Sequence, residues 1–215
     1  MSKDPAPSDF TGSAHEWVYR SIRLKIMTGE VAPGTALTLR GIGAEFGVSM
    51  TPAREAARRL VAEGALTLSN SGRISTPVLS RDRIEELASV RALLEPELAA
   101  RALPRAHPAL IERLHTINED VKQSIAKRDA SGYIRGNLDF HRSLYLRAQA
   151  PAMLAMTETV WLQLGPTMCE LYKQMRTRDQ SGLHQKILAA LRAANEGELR
   201  TAVRNDVTLG LKMLI

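Results

Sequence analysis

The chain has 215 residues, 44% of them hydrophobic but only 4% aromatic, so its core must come from Leu, Ala, Ile, Val and Met, a palette that favours helices in one large domain or two small ones. One cysteine, Cys169, excludes an intrachain disulfide framework and a cysteine-rich zinc module. The net charge of +6 permits nucleic-acid binding without locating it, because residues 1–80 carry 9 Lys and Arg against 7 Asp and Glu while residues 81–215 carry 20 against 16.

Residues 1–13 are rich in Pro, Ser, Asp and Gly and are expected to form a disordered tail. Their opening, MSKDPAPSD, has no signal-peptide hydrophobic segment, and no run in the chain nears the roughly 18 apolar residues that span a membrane. The cytoplasm is therefore the expected compartment, with no membrane partner. A first helix is predicted over 14–28, where Trp17, Val18, Ile22 and Ile26 recur at helical spacing before Gly29 and Pro33 stop it. After the turn VAPGTALT, a short helix is predicted over 40–46, closed by Gly47. A third follows in GVSMTPAREAARRLVAEGAL: Ser49 or Thr51 can cap it, Pro52 fits its first turn, Ala56, Leu60 and Val61 form its apolar stripe, and Gly64 ends it. Residues 66–68 and 74–78, parted by Ser69-Asn70-Ser71-Gly72-Arg73, read as a β-hairpin with a basic tip. Beyond Ser80 only helical patterns remain, over about 81–103, 109–129, 133–148, 152–176, 182–195 and 198–214, with breaks at Pro104/Pro108, Gly132, Pro151, Gly182 and Gly197 and a kink expected at Pro96. The expectation is a mainly α chain of two domains. Residues 14–78 form a winged helix-turn-helix of three helices plus a hairpin wing, and 79–215 an all-α bundle of six or seven helices.

Two short helices joined by a tight turn, the second basic and followed by a hairpin, have the grammar of a DNA-binding winged helix, which sets the N-terminal end of its second helix into the major groove. Thr51 and Arg54 lie one turn apart on that end, and Arg58 and Arg59 a turn further along. Arg40, at the start of the preceding helix, can reach the same phosphates or a guanine edge, and Gly72 with Arg73 suits close approach to the minor groove. The plainer reading is that Arg54, Arg58 and Arg59 solvate an exposed face and pair with Glu55 or Glu63. The wording of the segment weighs against it. VYRSIRLKIMTGEVAPGTALT, then IGAEFGVSMTPAREAARRLVAEGAL and a glycine-tipped wing, closely resembles the DNA-binding domain of GntR-type transcription regulators over about 60 residues. The resemblance puts Arg40, Ser49, Thr51, Arg54 and Gly72 on the family's usual DNA-contact positions. Met50 stands where the family usually carries Arg. It is expected to exchange a bidentate guanine contact, worth about 1–3 kcal/mol, for an apolar contact such as one to a thymine methyl. The full DNA-contacting set is read as Arg40, Ser49, Met50, Thr51, Arg54, Arg58, Gly72 and Arg73.

In the second half, Asn137 and His141 stand four apart on one predicted helix, His184 opens another and Asp206 lies on the last. From the residues alone, the histidines are either interior polar groups hydrogen-bonded to Asn137, Asp206 or water, or ligands. Arg91 precedes Glu95 by four, which permits a surface i,i+4 pair. Trp161 and the nearby methionines read as packing, with the indole N–H needing a partner. The segments VRALLEPELAARAL, NLDFHRSLY, HQKILAALRAANEGELRTAV and NDV are similar to the FCD-type effector domain of the FadR subfamily, over about 130 residues. In the metal-binding branch of that domain type an Asp or Asn and three His project from four helices. The resemblance places Asn137, His141, His184 and Asp206 there, with Asn137 for the usual Asp and Asp206 for what is often a third His. It implies one divalent ion, Zn, Ni or Mn, per protomer. It also implies that Arg91 faces the central cavity and holds an anionic effector, a small organic acid whose carboxylate suits a guanidinium.

The expected function is that of a sequence-specific transcription regulator: a homodimer that reads a short inverted repeat in double-stranded operator DNA and whose affinity is set by a small effector. No nucleophile–base set, phosphate loop or catalytic motif is evident, so an enzyme is not expected. The alternative is an architectural DNA-binding dimer whose helical half only dimerises. A specific ligand that alters DNA affinity separates the two.

Overall fold

The computed structural model describes residues 11–175 and 182–211; the expected tail over 1–10 and the expected helix ends at 176 and 212–214 lie outside the described residues. The elements run α1 (Ala14–Met27), β1 (Ala36–Leu37), α2 (Leu39–Phe46), α3 (Met50–Ala62), β2 (Thr67–Leu68), β3 (Ile74–Ser75), α4 (Arg81–Ala102), α5 (Pro108–Ala126), α6 (Ala130–Tyr145), α7 (Pro151–Met175), α8 (Gly182–Arg192) and α9 (Glu196–Leu209). Short 3-10 turns follow α4 and α6, at Leu103–Arg105 and Leu146–Ala148. The mainly helical architecture read from the sequence is found, with a small winged unit followed by a helical one. The chain passes from the first compact unit to the second between Val78 and Leu79.

In the first unit α1 packs on α3 because Val18, Tyr19, Ile22 and Ile26 of α1 and Ala53, Ala56, Ala57 and Leu60 of α3 are buried on facing stripes. The small alanines let the helix backbones approach. Thr38 caps α2 by accepting the Gly41 N–H at 2.9 Å. Gly47 ends α2 at φ 67°, and this left-handed residue makes the abrupt turn into α3. The wing has a strand that the sequence reading missed. The sheet order is β1-β3-β2, all antiparallel, with Leu37 and Leu68 both opposite Ile74. Two residues are too few to show an alternating pattern, so β1 reads as part of a turn. It is held by tertiary bonds instead: the Thr76 hydroxyl donates to the Ala32 carbonyl at 2.7 Å and accepts from the Thr35 N–H at 3.0 Å.

The second unit contains α4 through α9. Helix α4 continues through Pro96 and is buried along much of its length, from Ile84 and Leu87 to Leu98, Ala99 and Ala102, and it packs chiefly on α9. One apolar cluster joins Ile84, Leu87 and Ala88 to Val160, Leu164, Leu171 and Leu211; another joins Val121, Tyr133, Ile134 and Tyr172. Two expected breaks are displaced. Gly132 lies inside α6 and Gly197 inside α9; the helices begin earlier because Asp129 accepts the Gly132 N–H at 2.9 Å and Asn195 accepts the Glu198 N–H at 3.1 Å. The preceding reversals are made by Arg128 at φ 59° and Ala194 at φ 49°, left-handed positions that normally favour glycine.

That geometry predicts an unusual sign for glycine. Ala194→Gly removes left-handed strain of about 1 kcal/mol and should raise Tm by about 2–4 °C, whereas Ala189→Gly, inside α8, should lower it by a similar amount. Thermal melts of both variants decide the matter, and a lower Tm for Ala194→Gly contradicts it.

Candidate functional site

All eight residues read as DNA contacts are exposed: Arg40 on α2, Ser49 immediately before α3, Met50, Thr51, Arg54 and Arg58 on α3, and Gly72 and Arg73 at the wing tip. The Ser49 side chain makes no capping bond, and Met50 is 41% exposed at the first residue of α3. Gly72 has φ 80° and open space where a Cβ would stand. The cations of this unit divide sharply. Arg20 pairs with Glu16, Arg23 with Glu63 and Lys25 with Glu45, while Arg59 lies over the Tyr19 ring at 3.6 Å and pairs with Glu16 at 2.9 Å. Arg59 thus belongs to the seam between α1 and α3. Arg58 lies 3.6 Å from Glu55, an exposed pair of small worth. Among the described residues, Arg40, Arg54 and Arg73 make no ion pair with an acidic side chain.

The second unit contains a partly open cavity of about 50 Å³, whose polar lining includes Arg91, Asn118, Tyr133, Asn137, His184 and Asp206. His141 lies behind this lining, 1% exposed. Its Nε2 approaches Asp206 Oδ2 to 2.8 Å but off the direction of a hydrogen bond, so that nitrogen is a buried polar atom without one. His184 Nε2 lies 3.9 Å from the other carboxylate oxygen and 3.3 Å from Asn137 Nδ2. The ligand atoms of His141, His184 and Asp206 all fall within 4.8 Å of one another. The structure therefore brings together three of the four residues read as metal ligands, His141, His184 and Asp206 from α6, α8 and α9, with Asn137 lining the cavity beside His184. Phe140 stacks on the His184 ring at 3.9 Å and fixes its plane.

Arg91 lines the cavity and also forms the i,i+4 pair with Glu95, but the pair is buried, with Arg91 7% and Glu95 0% exposed. Arg91 Nε donates to Glu95 Oε1 at 2.5 Å and Nη2 to Oε2 at 3.4 Å. Trp161 Nε1 donates to Oε1 at 3.0 Å and the Tyr145 hydroxyl to Oε2 at 3.0 Å. Burial works against the Arg91 charge, but Glu95 outweighs it and raises the guanidinium pKa. Burial pushes Asp206 up, yet the neighbouring histidines and Arg91 more than reverse this and hold its carboxyl below the usual range. Burial lowers His184 to about 4, aided by His141 and opposed by Asp206, so its imidazole is neutral at pH 7 and able to donate a lone pair.

Glu95, Tyr145, Asn118 and Tyr133 were not read as site residues. Tyr145 was findable, being one turn after His141 on the same helix, and Trp161 announced its need of a partner; that partner is Glu95. Asn118, whose Oδ1 lies 3.1 Å from His184 Nδ1, gave no signal in the sequence.

Comparison with known proteins bears on both units. Residues 14–74 match the bacterial regulatory proteins of the gntR family, and residues 86–208 match the FCD domain. The HTH-type transcriptional regulator McbR of Escherichia coli (strain K12) is 27% identical over 182 residues, covering 83% of this chain and 82% of that protein. The gluconate operon transcriptional repressor of Bacillus subtilis (strain 168) is 32% identical over 147 residues, 68% of this chain and 58% of the repressor. The solved structure of E. coli McbR/YncC superposes with a TM-score of 0.87 at 25% identity, covering 95% of this chain and 98% of that one. A GntR regulator from Rhodococcus sp. RHA1 shares the fold at a TM-score of 0.77 and 20% identity, over 94% of this chain and 98% of that one. These relatives are regulators and not enzymes. With the FCD domain spanning more than half of its length and the regulatory domain preceding it, the chain belongs to the gntR family of bacterial transcription regulators that carry an FCD effector-binding domain.

Proposed function

We propose that residues 14–78 read double-stranded operator DNA, that residues 79–215 bind a small organic acid and dimerise, and that the acid sets operator affinity in a cytoplasmic homodimer of the FadR subfamily. The observation that carries the DNA half is the division of cations: the arginines of this unit without acidic partners among the described residues, Arg40, Arg54 and Arg73, are those on α2, on α3 and at the wing tip. Arg40 and Arg54, with Ser49, Met50 and Thr51 at the start of α3, form the base-reading set; Arg58, Gly72 and Arg73 serve phosphates and the minor groove. The architectural reading is disfavoured by the buried polar cluster, since a bundle that only dimerises gains nothing from interior charges that cost several kcal/mol each to desolvate.

The donor set fits a divalent ion. Two imidazoles and a carboxylate converge within 4.8 Å, one imidazole presents an orphaned Nε2, and the other is neutral at pH 7. His141, His184 and Asp206 are the ligands, with Asn137 beside them through its side-chain amide, and Zn, Ni and Mn are the candidates. A bound ion supplies positive charge next to the cavity. That charge matters because Glu95 already neutralises Arg91, which leaves Asp206 as the unbalanced charge of the cluster. Arg91 has one edge of its guanidinium engaged by Glu95, and Nη1 remains for an effector carboxylate. A cavity of about 50 Å³ holds only a few water-sized groups, so the effector is small or the helices part to admit it. An effector that binds the DNA-competent and DNA-incompetent arrangements unequally shifts their populations. The segment 76–81, with Pro77, connects wing to bundle and is the route for that shift.

Fluorescence anisotropy on DNA upstream of the protein's own gene, against scrambled DNA at about 50 and 200 mM salt, tests the DNA half. Preference for the native fragment should persist at high salt, and Arg54→Ala should reduce that preference by roughly 5- to 150-fold. Met50→Arg should change affinity or base preference. Equal binding to both DNAs at both salts favours the architectural reading.

Elemental analysis after supplementation tests the ion site. The wild-type chain should retain about one divalent ion per protomer, and His141→Ala should retain none. A wild-type protein that stays metal-free under supplementation removes the ion from this account.

A further inference from the structure

We infer that Glu95 and Tyr145 are positioning residues for His141: they hold a proton on its Nδ1, so that Nε2, which faces Asp206 Oδ2 at 2.8 Å, is the nitrogen an ion takes there in place of any proton shared with that carboxylate. The inference rests on reading His141 as an ion ligand. It follows from counting protons. A phenol has one proton to donate and an oxygen that accepts, whereas a carboxylate only accepts. Tyr145 Oη lies 3.0 Å from Glu95 Oε2 and 3.1 Å from His141 Nδ1. The phenolic proton cannot serve both. Directed to His141, it would leave the Tyr145 and Glu95 oxygens facing each other at 3.0 Å in a buried site with nothing between them, a repulsive contact. Directed to Glu95, it leaves Oη as an acceptor, and Nδ1 must then carry the hydrogen.

Glu95 is well placed to force this choice. It is 0% exposed, and its oxygens are fixed from α4 by Arg91 and from α7 by Trp161, so it cannot turn away from Tyr145. The other nitrogen of His141 is the buried atom that lacks a hydrogen bond and stands 2.8 Å from Asp206. A chain of contacts from Arg91 and Trp161 through Glu95 and Tyr145 thus ends on a ligand nitrogen. A partner on the far ring nitrogen typically orients an imidazole ligand and raises its basicity. Asn118 plays the matching part for His184, its Oδ1 facing Nδ1 at 3.1 Å.

The test uses the full chain labelled with 15N-histidine, whose ring nitrogens are assigned with His141→Gln. In the wild-type protein, metal-free and zinc-loaded, His141 Nδ1 should be protonated, and in the zinc-loaded state Nε2 should not be. Tyr145→Phe keeps the ring packing and removes the acceptor; zinc affinity, read by chelator competition, should fall about 10- to 100-fold. Trp161→Phe removes one bond to Glu95 but leaves the Tyr145–His141 contact, and should lose less than Tyr145→Phe. An unprotonated Nδ1 in the wild-type chain, or wild-type zinc affinity in Tyr145→Phe, overturns the inference. If wild-type protein takes up no zinc, the ion reading fails separately, and the Nδ1 state of the metal-free chain still decides the relay. The same measurement decides it should Tyr145→Phe not fold.

Discussion

The interior of the helical unit is organised around one carboxylate that has no access to water. Glu95 sits in the middle of α4, where a charge is costly to desolvate and persists only if partners satisfy it. It receives hydrogen bonds from Arg91 one turn earlier, from Trp161 on α7 and from Tyr145 on α6. Three helices are therefore held at one point by bonds whose directions are fixed, which apolar packing alone does not provide. Removing any one donor leaves this buried charge with one hydrogen bond fewer in a low-dielectric site, so the three helices are coupled more tightly than their apolar contacts imply.

The cavity inherits its chemistry from this arrangement. Arg91 lends its charge to Glu95 first and to the cavity second. Tyr145, committed to Glu95, can only accept from His141. Asp206 then faces two imidazoles whose Nδ1 atoms are occupied elsewhere, by Tyr145 and by Asn118. What looks like a loose trio of His, His and Asp is thus the inner end of a larger polar network, and the identity of its free nitrogens is determined from outside the trio.

How much of this was legible in the sequence depends on the range of the interaction. Helices with long apolar periodicity, and turns made by glycine such as Gly47 and Gly64, could be read locally. Strand β1 could not, because Ala36 and Leu37 pair with Ser75 and Ile74, some forty residues away, and the turn before them is held by Thr76. The reversals before α6 and α9 were misplaced by two or three residues because the chain turns there on Arg128 and Ala194, while attention falls naturally on the nearby glycines. In the site, Asn137 and His141 were visible as a pair four residues apart on one helix and His184 stands near the start of another, but Asp206, late in α9, joined them only through the family resemblance. Glu95 was visible only as a neighbour of Arg91. Its importance comes from Trp161 and Tyr145, 66 and 50 residues further on, and no local pattern encodes that convergence.

The DNA-reading unit shows why bulk charge was a poor guide. Its net charge is small, and counting Lys and Arg along the segment gives no reason to choose one surface over another. The structure resolves this by separating cations that have a structural partner from those that do not. The acids Glu16, Glu45 and Glu63 pair with Arg20, Arg23, Lys25 and Arg59 on α1 and α3, so the charge of these cations is offset by a neighbouring carboxylate. Among the described residues Arg40, Arg54 and Arg73 have no such compensation, and all three are exposed. A segment close to electroneutral can therefore still present a basic face, because neutralisation is a matter of contact rather than of composition. The relevant charge for an approaching phosphate is the uncompensated fraction, and here that fraction lies on α2, on α3 and at the tip of the wing.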